Sequence, residues 1–318
     1  MKNKTMNKYN ILTKKKYLNA VFPRFFHPVY SLFPFYKYPP AAIFVFSMSF
    51  PITFPAAVHP NKAEQGQDWV IVSVSADDSY YLLEYNSPPD NRYTAKFIAA
   101  YLQALDYIRT QGEPRVLVTT SRLPKFFSNG LDFEAAISTP GFFDEYYYRL
   151  MRTILEFPWP TVALVNGHGF AAGFMVAACH DYRVMNPDKG FLCMNEVAFG
   201  ADLLPPMMSI FRVKFGSQLS RKIAQEGHRF TSKEALDAGI IDVRGGLAEV
   251  EALIKAVAGK YVKSPSYSHI RQELLKEVIA DTRSFDKDAE ILTKRYDDQD
   301  AFYSKRGQEL EQLVKSKL

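Results

Sequence analysis

The chain has 318 residues, of which 47% are hydrophobic and 14% aromatic, enough to bury the core of one large domain or two smaller ones. Its two cysteines, Cys179 and Cys193, are too few for a disulfide framework, so we expect reduced core thiols rather than metal ligands. The net charge of +5 is uneven: residues 1–63 hold nine Lys and Arg and no acid, whereas the remaining 30 basic and 34 acidic residues give −4. This mildly acidic body disfavours a nucleic-acid-binding function.

Residues 1–63 form a basic N-terminal extension that we predict to lie outside the core. Within it, the uncharged run at residues 39–58 approaches the length that spans a membrane, but its four prolines remove backbone donors. The lack of acids is also typical of a mitochondrial transit peptide, although such peptides favour Arg and this segment has one. An unstructured upstream segment, with Met48 as the true start, is the third hypothesis.

The globular pattern begins near Asp68 and alternates strands with helices. In chain order its first unit is predicted as two strands, a helix, a strand and a loop, over residues 69–76, 80–86, 94–109, 115–120 and 124–132. The second unit is predicted as a helix, a strand, a loop, a short helix and a strand, over residues 142–155, 161–165, 166–169, 170–179 and 182–185. Such alternation predicts an α/β core.

Beyond Pro205 the pattern is almost entirely helical. The predicted helices cover residues 207–215, 217–225, 232–238, 247–262 and a long stretch from residue 267 to the end. We therefore place the core at residues 64–246 and a helical C-terminal region at residues 247–318.

Two segments rich in small residues suit the binding of a substrate oxygen by the main chain. Residues 126–132 read FFSNGLD, and residues 165–174 read VNGHGFAAGF directly after a predicted strand. The second segment opens a helix, whose N-terminal dipole stabilises negative charge. Two backbone N–H groups supplied in this way would form an oxyanion hole for an enolate derived from a thioester.

A third segment, residues 191–200, contains Glu196 as its only acid. An isolated glutamate is by default a solvated surface charge. In an apolar pocket its pKa would rise, which would suit Glu196 to transfer a proton near neutral pH.

A different hypothesis for the second segment is a dinucleotide-binding fingerprint. Gly167, Gly169 and Ala172 fit the G-x-G-x-x-A pattern, and Asp188 follows at about the expected 20 residues. However, such a unit usually opens its domain, whereas two strands and a helix precede this one. We therefore favour the oxyanion hole.

In this order and spacing, FFSNGLDF, VNGHGFAAG and FLCMNEVAFG resemble the crotonase (enoyl-CoA hydratase/isomerase) superfamily, and most closely its peroxisomal Δ3,Δ2-enoyl-CoA isomerase branch. The resemblance covers residues 68–230 well and the helical C-terminus in outline. It implies a crotonase-like α/β spiral of ββα units with a helical C-terminal subdomain. It also implies a homo-oligomer, either a trimer or a hexamer.

The resemblance also implies the roles of individual residues. The backbone N–H groups of Leu131 and Ala172 match the oxyanion hole, and Glu196 matches the acid/base glutamate. The residues that match the acyl-CoA-binding positions are Ser128, Asn129, Gly130, Leu131, Asp132, Phe133 and Ala172. No metal and no separate cofactor are implied, because coenzyme A is part of the acyl-CoA substrate.

Two positions depart from related branches of the family. Met175 stands where hydratases have a second Glu, and Leu204 stands where dienoyl-CoA isomerases have an Asp; Asp202 is near but in the wrong register. Adding water benefits from two carboxylates, whereas shifting a double bond needs only one base. The resemblance therefore implies an isomerase that moves a 3-enoyl-CoA double bond to trans-2 in fatty acid β-oxidation. An enoyl-CoA hydratase, a CoA-thioester hydrolase and a catalytically silent acyl-CoA-binding protein are the alternatives.

Other polar residues near these segments are predicted to be structural. We expect His168 to occupy a turn, Asp132 to cap or brace its loop, and His180 and Asp181 to mark the exit of a short helix.

The chain ends in Ser316, Lys317 and Leu318. This tripeptide at a free carboxyl terminus is an address that the peroxisomal import receptor reads. It predicts the peroxisomal matrix, with the mitochondrion as the alternative that the N-terminal extension suggests.

Overall fold

The structure is a computed structural model that describes residues 50–55 and 68–315. In these residues the strands are β1 (Ile52–Phe54), β2 (Val70–Val74), β3 (Tyr80–Tyr85), β4 (Val116–Ser121), β5 (Phe126–Ser128), β6 (Thr161–Val165), β7 (His168–Phe170), β8 (Tyr182–Met185), β9 (Leu192–Cys193) and β10 (Val243–Arg244). The larger sheet has the strand order β1-β2-β3-β4-β6-β8-β10, and a smaller sheet has the order β5-β7-β9.

The helices of the same residues surround these sheets and fill the C-terminal part. They are α1 (Ala95–Gln111), α2 (Phe133–Ser138), α3 (Tyr148–Leu155), α4 (Ala172–Cys179), α5 (Glu196–Phe199), α6 (Pro205–Ala224), α7 (Ser232–Asp237), α8 (Leu247–Ala256), α9 (Pro265–Leu274), α10 (Lys276–Asp281) and α11 (Phe285–Lys315). A π-helix, Phe142–Tyr147, precedes α3, and a 3₁₀-helix, Ala258–Tyr261, follows α8. No helix of the described residues is both long and apolar enough to cross a membrane.

The larger sheet confirms the predicted α/β class. Strands β2 and β3 form the expected antiparallel hairpin, and the pairs from β3 through β4, β6 and β8 to β10 are parallel. Parallel neighbours need a crossover connection, which α1 supplies between β3 and β4. Every residue of β4 and β6 is buried, as in a parallel sheet covered on both faces, and neither sequence alternates between apolar and polar residues.

The smaller sheet was not predicted. Strands β5 and β7 lie in segments that the sequence pattern assigned to loops, because strands of two or three residues leave no alternation to detect. All three strands of this sheet are parallel, so their carboxyl ends meet at one edge. The three candidate segments continue from that edge.

Part of the N-terminal extension belongs to the sheet, which corrects its predicted place outside the core. Strand β1 pairs antiparallel with β2, with Thr53 opposite Ile71. The side chain of Phe54 is only 3% exposed, and its ring centroid lies 5.8 Å from that of Tyr107. The prediction failed here because a three-residue strand at the edge of the sheet carries no periodic signal. Apart from residues 50–55, residues 1–63 lie outside the described residues.

The chain beyond Pro205 is mostly helical, as predicted. Helix α6 is interrupted at Gly216, whose φ of 78° and ψ of 164° are not helical, so it corresponds to the two predicted helices at residues 207–215 and 217–225. Helix α9 is tied to the sheet by a buried ion pair in which Arg271 lies 2.6 Å from Asp181. The Asp181 carboxylate also accepts a hydrogen bond from the backbone N–H of Thr161, at 2.9 Å.

His180 has the structural role that its position predicted. Its ring is fully buried and its two nitrogens contact the backbone oxygen of Val176, at 2.9 Å, and the hydroxyl of Thr119, at 3.0 Å. Burial lowers the pKa of His180 to about 4, so the ring is neutral at physiological pH.

Candidate active site

The three candidate segments meet at a single cavity of about 300 Å³. Strand β5 leads into the loop that carries Leu131, β7 leads into α4 at Ala172, and β9 leads into α5 at Glu196. All three of these residues line the cavity. The other residues on its wall are Arg92, Asn129, Phe133, Phe143, Tyr147, Ala171, Met175, Asn195, Phe199, Ala201, Asp202, Leu204 and Met207.

The small residues of the first two segments are needed because the two segments touch. Gly130 has a φ of 91°, a conformation that favours glycine. A side-chain carbon at Gly130 would stand 2.9 Å from the Cβ of Ala171 and 3.4 Å from the backbone nitrogen of Ala172. The loop after β5 and the start of α4 therefore lie side by side.

The backbone N–H of Leu131 points away from the segment that Leu131 pairs with. The N–H of Tyr93 donates to the Gly130 oxygen at 2.8 Å, and the N–H of Asp132 donates to the Tyr93 oxygen at 3.2 Å. In a parallel bridge of this kind, the N–H of the residue between them points away from the neighbouring segment. Within the described residues, the Leu131 amide donates no backbone hydrogen bond.

The backbone N–H of Ala172 lacks an acceptor within its helix for a different reason. Ala172 is the first residue of α4, where a backbone N–H has no intrahelical acceptor. The preceding residue, Ala171, has a φ of 50° and a ψ of −124°, an unusual conformation for a residue with a side chain. Its N–H donates to the Cys193 oxygen at 2.8 Å, which ties the start of α4 to β9.

Glu196 is a buried carboxylate rather than a solvated surface charge. Its side chain is 9% exposed, and among the described residues its Oε2 atom has no hydrogen-bond partner. Burial raises the pKa of Glu196 to about 7. Hydrogen bonds from the backbone N–H groups of Glu196 and Asn195 have the opposite, smaller effect on this pKa. Both protonation states are therefore accessible near neutral pH, as proton transfer requires.

The residues predicted to bind substrate divide into two groups. Asn129, Leu131, Phe133 and Ala172 line the cavity. The remaining three, Ser128, Gly130 and Asp132, support the loop from behind the cavity wall.

Two of these supporting residues have clear internal partners. The Ser128 hydroxyl donates to the Asn91 backbone oxygen at 2.8 Å and accepts from the Gly130 N–H at 3.2 Å. The Asp132 carboxylate accepts from the Ala135 N–H at 3.1 Å and so caps α2, which confirms its predicted structural role.

His168 lies away from the cavity that holds Glu196. It begins β7 rather than occupying a turn, and its ring packs against those of Phe170, Phe126 and Phe191, with centroid distances of 4.8, 5.4 and 5.6 Å. It lines a larger, open cavity of about 540 Å³ at the opposite end of the small sheet. Burial lowers the pKa of His168, and Lys125 and Arg229 lower it further.

Sequence reasoning missed several residues of the cavity wall. Phe143 and Tyr147 come from the π-helix, which has no sequence signal that separates it from an α-helix. Arg92 also lies on the wall, and its Nε is 3.0 Å from an Asp90 oxygen that accepts a second hydrogen bond from the Asn129 amide, at 2.8 Å. Arg92 lies between the predicted strand at residues 80–86 and the predicted helix at residues 94–109, where the sequence pattern gave no indication of this contact.

The fold is shared with solved structures of acyl-CoA enzymes. A probable enoyl-CoA hydratase from Mycobacterium tuberculosis H37Rv matches with a TM-score of 0.61 at 19% identity, over 73% of this chain and 98% of its own. The expected crotonase-like α/β fold is confirmed.

Sequence comparison identifies the family. The model of the protein family described as enoyl-CoA hydratase/isomerase matches residues 77–311 of this chain. The peroxisomal enoyl-CoA delta isomerase 1 of Arabidopsis thaliana is 32% identical over 223 residues, which are 66% of this chain and 92% of the relative. The mitochondrial enoyl-CoA delta isomerase 1 of Mus musculus is 25% identical over 229 residues, which are 70% of this chain and 79% of the relative. The chain therefore belongs to the enoyl-CoA hydratase/isomerase family.

Proposed function

We propose that the protein is a Δ3,Δ2-enoyl-CoA isomerase, which shifts the double bond of a 3-enoyl-CoA to the trans-2 position in fatty acid β-oxidation. The observation that carries the proposal is that Glu196 is the one buried carboxylate among the cavity-lining residues that the structure describes. It shares this cavity with the amides of Leu131 and Ala172. Relatives named enoyl-CoA delta isomerases support the same activity.

In the proposed mechanism, the thioester oxygen accepts hydrogen bonds from the N–H groups of Leu131 and Ala172. The Glu196 carboxylate removes a proton from C2, and the resulting negative charge spreads onto the thioester oxygen as a dienolate. The carboxylic acid of Glu196 then returns the proton to C4, which moves the double bond and regenerates the carboxylate. Coenzyme A is part of the substrate, and the proposal requires no further cofactor and no metal.

The cavity wall favours isomerisation over hydration. Met175 and Leu204, at the positions where other branches carry acids, both line the cavity as apolar side chains. Asp202 also lines it but is exposed to solvent. A hydratase, which benefits from a second carboxylate, would have to use Asp202, so hydratase is the second candidate function.

Parallel assays with a 3-enoyl-CoA and a 2-enoyl-CoA test the proposal. We expect conversion of the 3-enoyl-CoA to the trans-2 isomer and little hydration of the 2-enoyl-CoA. Hydration at a comparable rate, lost in Asp202→Asn, would support a hydratase, and release of free coenzyme A would support a hydrolase. Binding of acyl-CoA without turnover of either substrate would identify a catalytically silent member of the family.

We further propose that the protein works in the peroxisomal matrix and reaches it through Ser316, Lys317 and Leu318, which lie outside the described residues. One relative is named peroxisomal and another mitochondrial, so the terminal tripeptide carries this proposal. A fluorescent protein fused to the N-terminus should enter peroxisomes, and the same fusion without the last three residues should not. Import that survives this deletion, or accumulation in mitochondria, would contradict the proposal.

The homo-oligomer implied by the family resemblance is also a proposal. Light scattering of the purified protein should give the mass of a trimer or a hexamer. A monomeric mass at assay concentrations would contradict it.

A further inference from the structure

Tyr147 and Met175 make an unusual contact on the wall of the cavity that holds Glu196. The Tyr147 hydroxyl lies 3.2 Å from the sulfur of Met175 and 3.5 Å from the backbone oxygen of Ala172. Tyr147 is fully buried and Met175 is 1% exposed. Both acceptors belong to the first turn of α4, the helix that begins with the proposed oxyanion amide.

The partners of this hydroxyl are weak. A thioether sulfur is a poor hydrogen-bond acceptor, and an oxygen at 3.5 Å is at the limit of a hydrogen bond. Burying a hydroxyl without a good partner is destabilising, so a phenylalanine would be the more favourable packing choice at position 147. The hydroxyl also sits on a π-helix, an element that is frequent at functional sites.

The direction in which the Tyr147 hydroxyl points is important because Glu196 lines the same cavity. Glu196 contributes a buried Oε2 atom with no partner among the described residues. If the Met175 sulfur were absent, the Tyr147 hydroxyl would donate a hydrogen bond to a stronger acceptor. In an open cavity that acceptor is water. Such a water would lie in the cavity that Glu196 also lines, and it would exchange its protons with the Glu196 carboxyl group.

We propose that Met175 and Tyr147 act as a pair that limits exchange of the transferred proton with solvent, because the thioether holds the Tyr147 hydroxyl in the wall and denies water an anchor there. The inference rests on the proposed isomerase function, in which Glu196 carries one proton from C2 to C4. In this arrangement Met175 does more than lack a carboxyl group. It keeps a neighbouring polar group out of the reaction space, so the transferred proton stays with the substrate.

Isomerisation of a 3-enoyl-CoA in D₂O tests the inference, with deuterium at C4 of the product measured per turnover by mass spectrometry. Met175→Leu removes the sulfur while conserving volume, a change that packed cores usually tolerate. It should raise deuterium incorporation about two- to tenfold, the size of effect expected when one interior hydrogen bond is released. Met175→Ile, which also lacks the sulfur, replaces it if the leucine variant does not fold.

The decisive comparison is the double variant. Tyr147→Phe alone should leave deuterium incorporation close to wild type, and combining it with Met175→Leu should abolish the increase, because the released hydroxyl is then absent. Tyr148→Phe is the matched control, since Tyr148 is the neighbouring buried tyrosine and is not among the residues that line the cavity. Combined with Met175→Leu, it should leave the increase intact.

Each result has one meaning. No increase in Met175→Leu, an increase that persists in the Tyr147→Phe double variant, or complete exchange in the wild type would each overturn the inference while leaving an active isomerase. A wild-type protein that does not isomerise 3-enoyl-CoA would overturn the proposed function and this inference with it.

Discussion

Gly173 lies directly against Ser128: a side-chain carbon at Gly173 would stand 2.5 Å from the Ser128 backbone oxygen and 2.9 Å from its Cβ. The contact joins the first turn of α4 to the end of β5. These are the two segments that carry the proposed oxyanion amides, so Gly173 sets how closely the amides approach each other.

Gly173→Ala should therefore weaken both folding and turnover. Overpacking of a close backbone contact typically costs about 1–3 kcal/mol, and any relief must come from moving α4 away from β5. Urea unfolding and steady-state kinetics measure the two effects. Gly307→Ala is the matched control, because Gly307 lies in α11 with no atom within 4 Å of the added carbon. It should leave turnover unchanged and stabilise the helix slightly. Unchanged turnover in Gly173→Ala would contradict the proposed role of this contact.

Glu196→Gln should retain acyl-CoA binding and lose most turnover. The amide keeps the shape of the side chain but neither accepts nor returns the C2 proton. Loss of a general base typically lowers turnover by about 10²–10⁴-fold. Isothermal titration with the trans-2 product measures binding separately from catalysis. Near-wild-type isomerisation by this variant would exclude Glu196 as the base.

The acid limb of the pH profile should report the pKa of Glu196. The base must be ionised to remove a proton, and its pKa in the folded protein is about 7. We therefore expect kcat/KM to rise with pH and to level off above about pH 7, instead of near the ordinary glutamate value of 4.5. A profile that is flat down to that lower value would show that Glu196 is not the group that titrates.

The raised pKa of Glu196 also predicts how stability depends on pH. Between about pH 4.5 and 7 the folded protein holds a proton that the unfolded chain has lost, so the Glu196 contribution to stability falls as pH rises through this window. Above it, the ionised carboxylate destabilises the fold by on the order of 3 kcal/mol. Urea unfolding should find Glu196→Gln more stable than wild type above about pH 7, with the advantage lost near pH 4.5. Equal stability at both pH values would contradict the burial of this charge.

Two N-terminal truncations should behave differently. A chain that begins at Met48 keeps β1 and should retain wild-type stability and activity. A chain that begins at Glu64 lacks Phe54, whose burial is worth about 1.5–3 kcal/mol, and exposes the edge of β2. Thermal unfolding should therefore rank the Glu64 chain below the Met48 chain. Equal stability of the two would show that β1 contributes nothing to the sheet.

Residues with a strong local signal were the ones that sequence analysis predicted well. Helix α1 was expected over residues 94–109 and begins at Ala95 with Thr94 as its cap, whose hydroxyl accepts from the Phe97 N–H. Strand β6 follows a buried apolar run and has the predicted bounds, Thr161–Val165. In α1 a helical period of apolar side chains spans nearly the whole helix, and in β6 a run of buried, mostly apolar side chains spans the whole strand.

Features created only by tertiary contact escaped prediction. The small sheet consists of strands too short to show a period, and it forms because β5, β7 and β9 are brought together by the larger elements around them. The place of Tyr147 on the cavity wall depends on the π-helical turn that precedes α3. The convergence of the three candidate segments came from the family resemblance, and local pattern would not have shown it.

The ion pair between Asp181 and Arg271 has a consequence for folding during synthesis. Asp181 stands at the entrance to β8, which lies between β6 and β10 in the larger sheet, whereas Arg271 lies in α9, ninety residues later. A nascent chain that has released β8 from the ribosome therefore holds a carboxylate whose partner has yet to be translated. An unpaired buried charge is strongly destabilising, so the sheet gains its final stability only when α9 emerges. The helices near the C-terminus thus complete a core that the N-terminal half begins.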